Sequence, residues 1–146
     1  MSVNLSKAHP DTYQHLLRFS AVADEAAAES GLDPRLIELV KIRVSQINGC
    51  AFCLRMHTRD AVAKGETTDR LSVLPAWWES QYFDDAERSA LALAEQVTGI
   101  ASVPRHAVIE GALTPEQTSA VAWLAVVMNA WNRVAVTSHY PVGANG

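Results

Sequence analysis

The sequence predicts an all-α, single-domain helical bundle, and three observations carry that expectation. No stretch of the 146 residues sustains the apolar/polar alternation of a half-buried strand. Apolar residues instead recur at three- and four-residue spacing between helix start and stop signals. Hydrophobic residues make up 49% and charged residues 19%, which suits one globular domain and excludes a disordered chain.

Pro10 suits a first helical turn, and Tyr13, Leu16, Leu17, Ser20 and Ala21 keep helical spacing behind it. Gly31 is the expected left-handed cap of that helix. Asp33 caps the second helix with Pro34 at its first position, and Leu36, Ile37, Val40, Val44 and Ile47 form its buried stripe. Periodicity places Glu38 on the opposite, polar side with Ile42 and Ser45. The third helix follows Asn48-Gly49 and ends near Gly65. Thr67-Thr68-Asp69 offers caps for a short helix through Leu71, and Leu74-Pro75 opens a turn carrying Trp77 and Trp78. Asp84 caps a helix from Asp85 to about Thr98, with Ala90, Leu93, Ala94 and Val97 facing inward and Gly99 ending it. A brief helix is expected around Pro104 to Glu110. Thr114-Pro115-Glu116-Gln117 is a capping box that starts the last helix, which runs to about Val136. That helix is apolar on nearly every side from Ala120 to Met128, so it is expected to be buried centrally or between subunits. Asn129, Asn132 and Arg133 interrupt it before membrane-spanning length and line either a site mouth or a subunit contact. Tyr140 to Gly146 reads as a loose tail.

The net charge is −4 and no basic cluster matches a phosphate backbone, so no nucleic-acid partner is expected. Met1 to Pro10 lacks the apolar segment of a signal peptide. The expectation is a cytoplasmic protein without membrane association. Two cysteines in such a chain point to chemistry rather than to a structural staple.

Those cysteines, Cys50 and Cys53, form a C-x-x-C pair directly after Asn48-Gly49, and His57 lies four residues beyond the second. Helix geometry puts residues three, four and seven apart on one side, so Cys50, Cys53 and His57 share a face. Cys50 falls in the first turn, where unpaired amides and the helix dipole favour a thiolate. His57 stands one turn past Cys53 and is placed to take its proton. A dithiol beside a base is an arrangement for redox chemistry. The bland reading is two buried, inert thiols, and their position at a helix start, in phase with His57, argues against it. Zinc is a further alternative: Cys50, Cys53 and His57 offer three ligands, with His139, His106 or Glu38 as the fourth. No second ligand pair makes that set compelling, so neither a metal nor another cofactor is expected. Haem attachment fails because Leu54 stands where C-x-x-C-H needs histidine.

Glu38, twelve residues before Cys50, completes the pattern E-x11-C-x-x-C-x3-H. This resembles the alkylhydroperoxidase D-like family within the carboxymuconolactone decarboxylase superfamily. The surrounding Glu38-Leu39-Val40-Lys41-Ile42-Arg43 and Gln46-Ile47-Asn48-Gly49-Cys50 resemble its small members too. So do Leu74-Pro75-Ala76-Trp77 and Asn129-Ala130-Trp131-Asn132-Arg133, which extends the resemblance from about Pro34 to about Arg133. It implies that residues 1–146 form one domain of that bundle and reduce a small-molecule hydroperoxide with an external dithiol as reductant. On this resemblance Cys53 is the peroxidatic thiol, Cys50 the resolving one, and His57 with Glu38 the proton relay. The helix dipole instead favours Cys50 as the more acidic thiol, so the order of attack stays open. The resemblance also implies a homo-oligomer, trimeric or hexameric, with the dithiol near a subunit interface. Phe52 departs from the pattern, because the better-known members carry a second histidine there. Two other functions stay open: a decarboxylase acting on a lactone acid, and a non-enzymatic sensor that uses the same disulfide as a switch.

Overall fold

Capping side chains and prolines set where the helices begin. In a computed structural model that describes residues 3–144, the elements in order are α1 (Leu5–Ala8), α2 (Pro10–Glu29), α3 (Pro34–Asn48), α4 (Ala51–Ala63) and α5 (Thr68–Val73). A 3-10 turn (Leu74–Glu79), α6 (Asp85–Thr98) and α7 (Pro115–Ser138) complete the chain. No strand occurs among the described residues, and the fold is an all-α single-domain bundle. Asp33 accepts the Arg35 amide at 2.8 Å and starts α3 with Pro34 in its first turn. Asp84 and Glu87 exchange hydrogen bonds at 2.8 and 3.1 Å, a reciprocal cap on α6. Thr114 and Gln117 do the same for α7 at 3.1 and 3.0 Å.

The core lies where α4, α6 and α7 pack against α3, with α2 covering α7. Leu39, Val40 and Val44 on α3 are sealed, as are Leu91 and Ala94 on α6 and Val121 and Ala125 on α7. A single stripe therefore underestimates α3. Ile42 and Ser45, expected on its polar side, are buried, while Ile47 from the expected stripe is largely exposed. Neighbours on more than one side leave little of this helix for water. The opposite correction applies to α7, whose Trp123 and Val126 are exposed, with Phe19 of α2 edge-on to Trp123 at 5.7 Å. Its length and mean hydropathy of 1.2 would by composition allow a membrane span, but here α2, α3 and α6 pack on it.

Three further differences have local causes. Residues 104–110 form a loop, not a helix, because α6 side chains take their backbone bonds. Gln96 donates to the His106 carbonyl at 2.9 Å, and Ser89 accepts the Ile109 amide at 2.9 Å. The short α1, unforeseen, is capped by Asn4 and tied by its Leu5 amide to Ser138 Oγ at 3.0 Å. The end of the chain is docked as far as it is described. His139 takes a left-handed conformation (φ 53°), Tyr140 meets the Phe52 ring, and Arg55 donates to the Gly143 carbonyl at 2.9 Å.

The α7 cap offers a stability test remote from the dithiol. Thr114→Ala removes one half of the reciprocal cap and should cost about 1 kcal/mol in urea unfolding. An unchanged midpoint would mean that packing alone positions the start of α7.

Candidate active site

The α3–α4 connection decides which side chains meet. Asn48 ends α3, and Gly49 takes a left-handed conformation (φ 66°, ψ 38°) that a side chain would strain. The Cys50 amide closes the turn on the Ser45 carbonyl at 3.0 Å. The chain thus reverses in two residues and lays α4 along α3. Cys50 is not in the first turn of α4 but is its N-cap, in extended conformation, and its Sγ accepts the Cys53 amide at 3.4 Å. Both cysteines are reduced and sealed from solvent, as is most of His57.

Glu38 is not on a solvated face; only 2% of it is exposed. Its Oε2 lies 3.0 Å from His57 Nδ1, and its Oε1 accepts from Lys64 Nζ at 2.6 Å. Lys41 Nζ stands 3.7 Å from the same Oε1. Burial alone would raise the Glu38 carboxyl. The His57 hydrogen bond, the Lys41 charge and the Lys64 hydrogen bond outweigh it and hold the group down to about 2. A carboxylate at Nδ1 keeps the neutral ring's proton there and leaves Nε2 as the base. Asp60, the other acid in phase with the ring, is 3.7 Å away and half exposed, so Glu38 is the orienting partner.

Cys53 differs from Cys50 in its surroundings. Burial, then the hydrogen bond with Cys50, push the Cys53 thiol up to about 12, while the Asn132 amide beside it acts in the opposite direction. Asn132 is almost wholly buried. Its Oδ1 accepts from Asn48 at 2.9 Å, and its Nδ2 donates to Ser45 Oγ at 3.0 Å. Asn48 also donates to Asn129 at 2.9 Å, and Asn129 donates to Thr98 Oγ1 at 3.0 Å. These asparagines tie α3, α6 and α7 together beside the dithiol. The sequence left them between a site mouth and a subunit contact; the available signal was a polar interruption in an apolar helix.

The ligand-bearing atoms of Glu38, His57 and Asp60 lie within 4.8 Å of one another, and neither cysteine belongs to that group. The cysteine-based zinc site considered from the sequence is therefore not assembled among the described residues. In the carboxylate group, Lys64 and Lys41 already supply positive charge to Glu38.

Because the Glu38 carboxyl is held below its usual value of 4.5, its contribution to stability is complete above about pH 4.5. It is lost as the pH falls toward about 2. Urea unfolding across that window should show a loss on the order of 3 kcal/mol in the natural protein beyond that in Glu38→Gln. Parallel pH profiles for the two proteins would show that Glu38 is not held as a carboxylate.

Comparison with known proteins gives these features a family. The model described as "Carboxymuconolactone decarboxylase family" matches residues 10–96, a span that includes Glu38, Cys50, Cys53 and His57. The uncharacterized protein YdfG of Bacillus subtilis (strain 168) is 42% identical over 113 residues, which cover 74% of this chain and 76% of that protein. The uncharacterized protein YnjA of Escherichia coli (strain K12) is 35% identical over 66 residues, 45% of this chain and 36% of that protein. A crystal structure from Agrobacterium tumefaciens superposes with a TM-score of 0.78 at 29% identity, covering 97% of this chain and 98% of that one. It is of the protein of unknown function ATU0492, a candidate antioxidant defence protein AhpD. The matched span and the superposed fold show that the chain belongs to the carboxymuconolactone decarboxylase family and has an AhpD-like fold.

Proposed function

We propose that this protein is a thiol-dependent hydroperoxide reductase that cycles through a Cys50–Cys53 disulfide. The observation that carries the reading is the buried Glu38–His57 pair, one helical turn from a reduced C-x-x-C dithiol. His57 Nε2 takes the Cys53 proton as the sulfur attacks the terminal peroxide oxygen. The O–O bond breaks, the proton passes to the departing oxygen, and the products are an alcohol and Cys53 sulfenic acid. The Cys50 sulfur then displaces hydroxide from that sulfenic acid, which leaves as water once protonated, and the disulfide forms. An external dithiol restores both thiols by exchange and is itself oxidised. A homo-oligomer with the dithiol near a subunit boundary completes the proposal.

A second reading has its own support. The family description names a decarboxylation, and the Glu38–His57 pair is a complete acid–base unit without any thiol. The sealed cysteines and the raised Cys53 thiol also favour proton transfer over thiolate attack. In these respects the comparisons and the site support a decarboxylase-type enzyme more directly than a peroxidase. A redox sensor would use the same disulfide without turnover.

Peroxide consumption separates the three. With hydroperoxide and a dithiol donor in excess, the reductase consumes many equivalents, and Cys53→Ser consumes none. With the dithiol left out, Cys50→Ser should stop after one equivalent with a dimedone-reactive sulfenic acid on Cys53. A sensor consumes one equivalent. Unchanged thiols after exposure to hydroperoxide would sink the reductase and leave the acid–base enzyme.

The relay has a separate test. His57→Ala should slow thiol oxidation by ~10²–10⁴-fold. Glu38→Gln should slow it less, since the amide retains the shape but not the charge. Because Glu38 acts through His57, the double variant should be scarcely slower than His57→Ala. Additive losses in a double-mutant cycle, with thermal melts confirming the fold, would show that the two residues act separately.

A further inference from the structure

The outer face of α2 and α7 carries apolar residues at helical spacing that the core does not use. On α2, Phe19, Val22 and Ala26 recur at intervals of three and four, and all are exposed. On α7, Ser119, Trp123 and Val126 keep the same intervals and are exposed too. The two helices run antiparallel, since Tyr13 meets Trp131 at 5.6 Å and Phe19 meets Trp123 at 5.7 Å. Their rows therefore lie side by side as one apolar face. Such spacing on a helix marks a seam that packs on another helix, and a contiguous exposed apolar face marks a contact surface.

The face is open and large. Val22 and Trp123 are each 51% exposed, Val126 41% and Phe19 38%. The 20 residues of α2 span about 30 Å. With α7 beside it, the footprint is comparable with the ~800 Å² that each partner gives to a stable interface.

Shape and charge identify the occupant. Phe19 and Trp123, edge-on to each other, form one raised aromatic pair. Next to it along the same two helices is a groove of about 520 Å³, bordered by Ala26, Pro115 and Ser119. A two-fold axis across α2 at Val22 sets the aromatic pair of each copy over the groove of the other, Phe19 against Ala26 and Trp123 against Ser119. Large side chains then meet small ones twice, as a surface complementary to itself requires. Arg18 and Glu25, on the side of the α2 row away from α7, are exposed and make no ion pair among the described residues. The same axis brings Arg18 of each copy beside Glu25 of the other. A parallel arrangement would set Arg18 against Arg18 and Glu25 against Glu25.

We propose that this face binds a second copy of the chain about a two-fold axis at Val22, with α2 antiparallel to α2 and Arg18 paired with Glu25 across the contact. Neither α2 nor α7 carries Glu38, Cys50, Cys53 or His57. The contact is therefore separate from a subunit boundary beside the dithiol, and it stands whether or not the reductase reading does.

Sedimentation equilibrium of the natural chain should give an even number of copies per particle. Val22→Glu sets two carboxylates against each other at the axis and should shift the particle to half its mass, a loss of roughly 30-fold or more in self-association. Circular dichroism checks that the helices persist. Arg18→Glu should weaken association roughly 5-fold or more, and adding Glu25→Arg should restore it, because the exchange recreates both pairs. In a chain with Cys50→Ser and Cys53→Ser, Val22→Cys should cross-link to a covalent dimer under mild oxidation. Ala28→Cys, about 120° round α2, should not. A monomer or an odd number of copies, an unchanged particle in folded Val22→Glu, no rescue by the charge exchange, or equal cross-linking through Ala28→Cys would overturn the proposal. Flotation of a monomeric chain with phosphatidylcholine vesicles would assign the face to a membrane and overturn it as well.

Discussion

A carboxylate sealed inside a helical bundle persists only through its partners, and the structure around Glu38 is arranged to supply them. His57 reaches it from α4, Lys64 from the C-cap of that helix, and Lys41 from its own helix. Removing one of them would leave charge in a poorly solvated place, a loss that generally exceeds the value of an exposed ion pair. The interaction therefore has two consequences. It ties the second half of α4 and its C-cap onto the first half of α3, and it sets which nitrogen of His57 carries the proton. Position of the helix and orientation of the base follow from the same atoms.

The asparagine network does for α7 what Glu38 does for α4. Asn48, at the end of α3, donates to Asn129 and Asn132, and Asn132 passes a hydrogen bond to Ser45, whose hydroxyl donates to the Lys41 carbonyl at 2.8 Å. Such a chain of buried and half-buried amides tolerates little displacement of one helix along the other, because each shift would leave an amide without its partner. The turn at Gly49 is held between these two ties. One fixes the helix before the cysteines to α7, and the other fixes it to the helix that carries them.

What was legible in the sequence follows from the range of each signal. Caps act over three residues, so Asp33, Asp84 and Thr114 announced their helices, and the structure shows the bonds expected of them. The shared face of Cys50, Cys53 and His57 is also a local property of one helix. Glu38 is different. Its periodicity on α3 suggested water, and only the family resemblance singled it out, because its neighbours belong to a helix whose packing no local pattern describes. The same limit explains Ile47 and Trp123, apolar residues left outside by the arrangement of helices around them. It also explains the loop 104–110, where Gln96 and Ser89, more than a helical turn away in sequence, take bonds that a helix would make internally.

The two cysteines illustrate how one local geometry creates unlike thiols. Cys50, at the N-cap, holds an amide N–H on its sulfur, whereas Cys53, one turn further in, is pushed up to about 12 by burial and by Cys50. At rest, therefore, Cys53 holds its proton tightly. On the proposed cycle, a thiol held this high can react only where its proton has a destination during attack. His57 is in phase with Cys53, and Glu38 occupies Nδ1, so Nε2 is the destination the ring can offer. A second histidine at position 52 is not required for that path. Phe52 instead packs against Tyr140 at 5.1 Å, where the left-handed turn at His139 returns the chain over α4. On the proposed cycle the relay thus consists of one base and one acid, and the position where the family pattern has a second histidine is a packing contact for Tyr140.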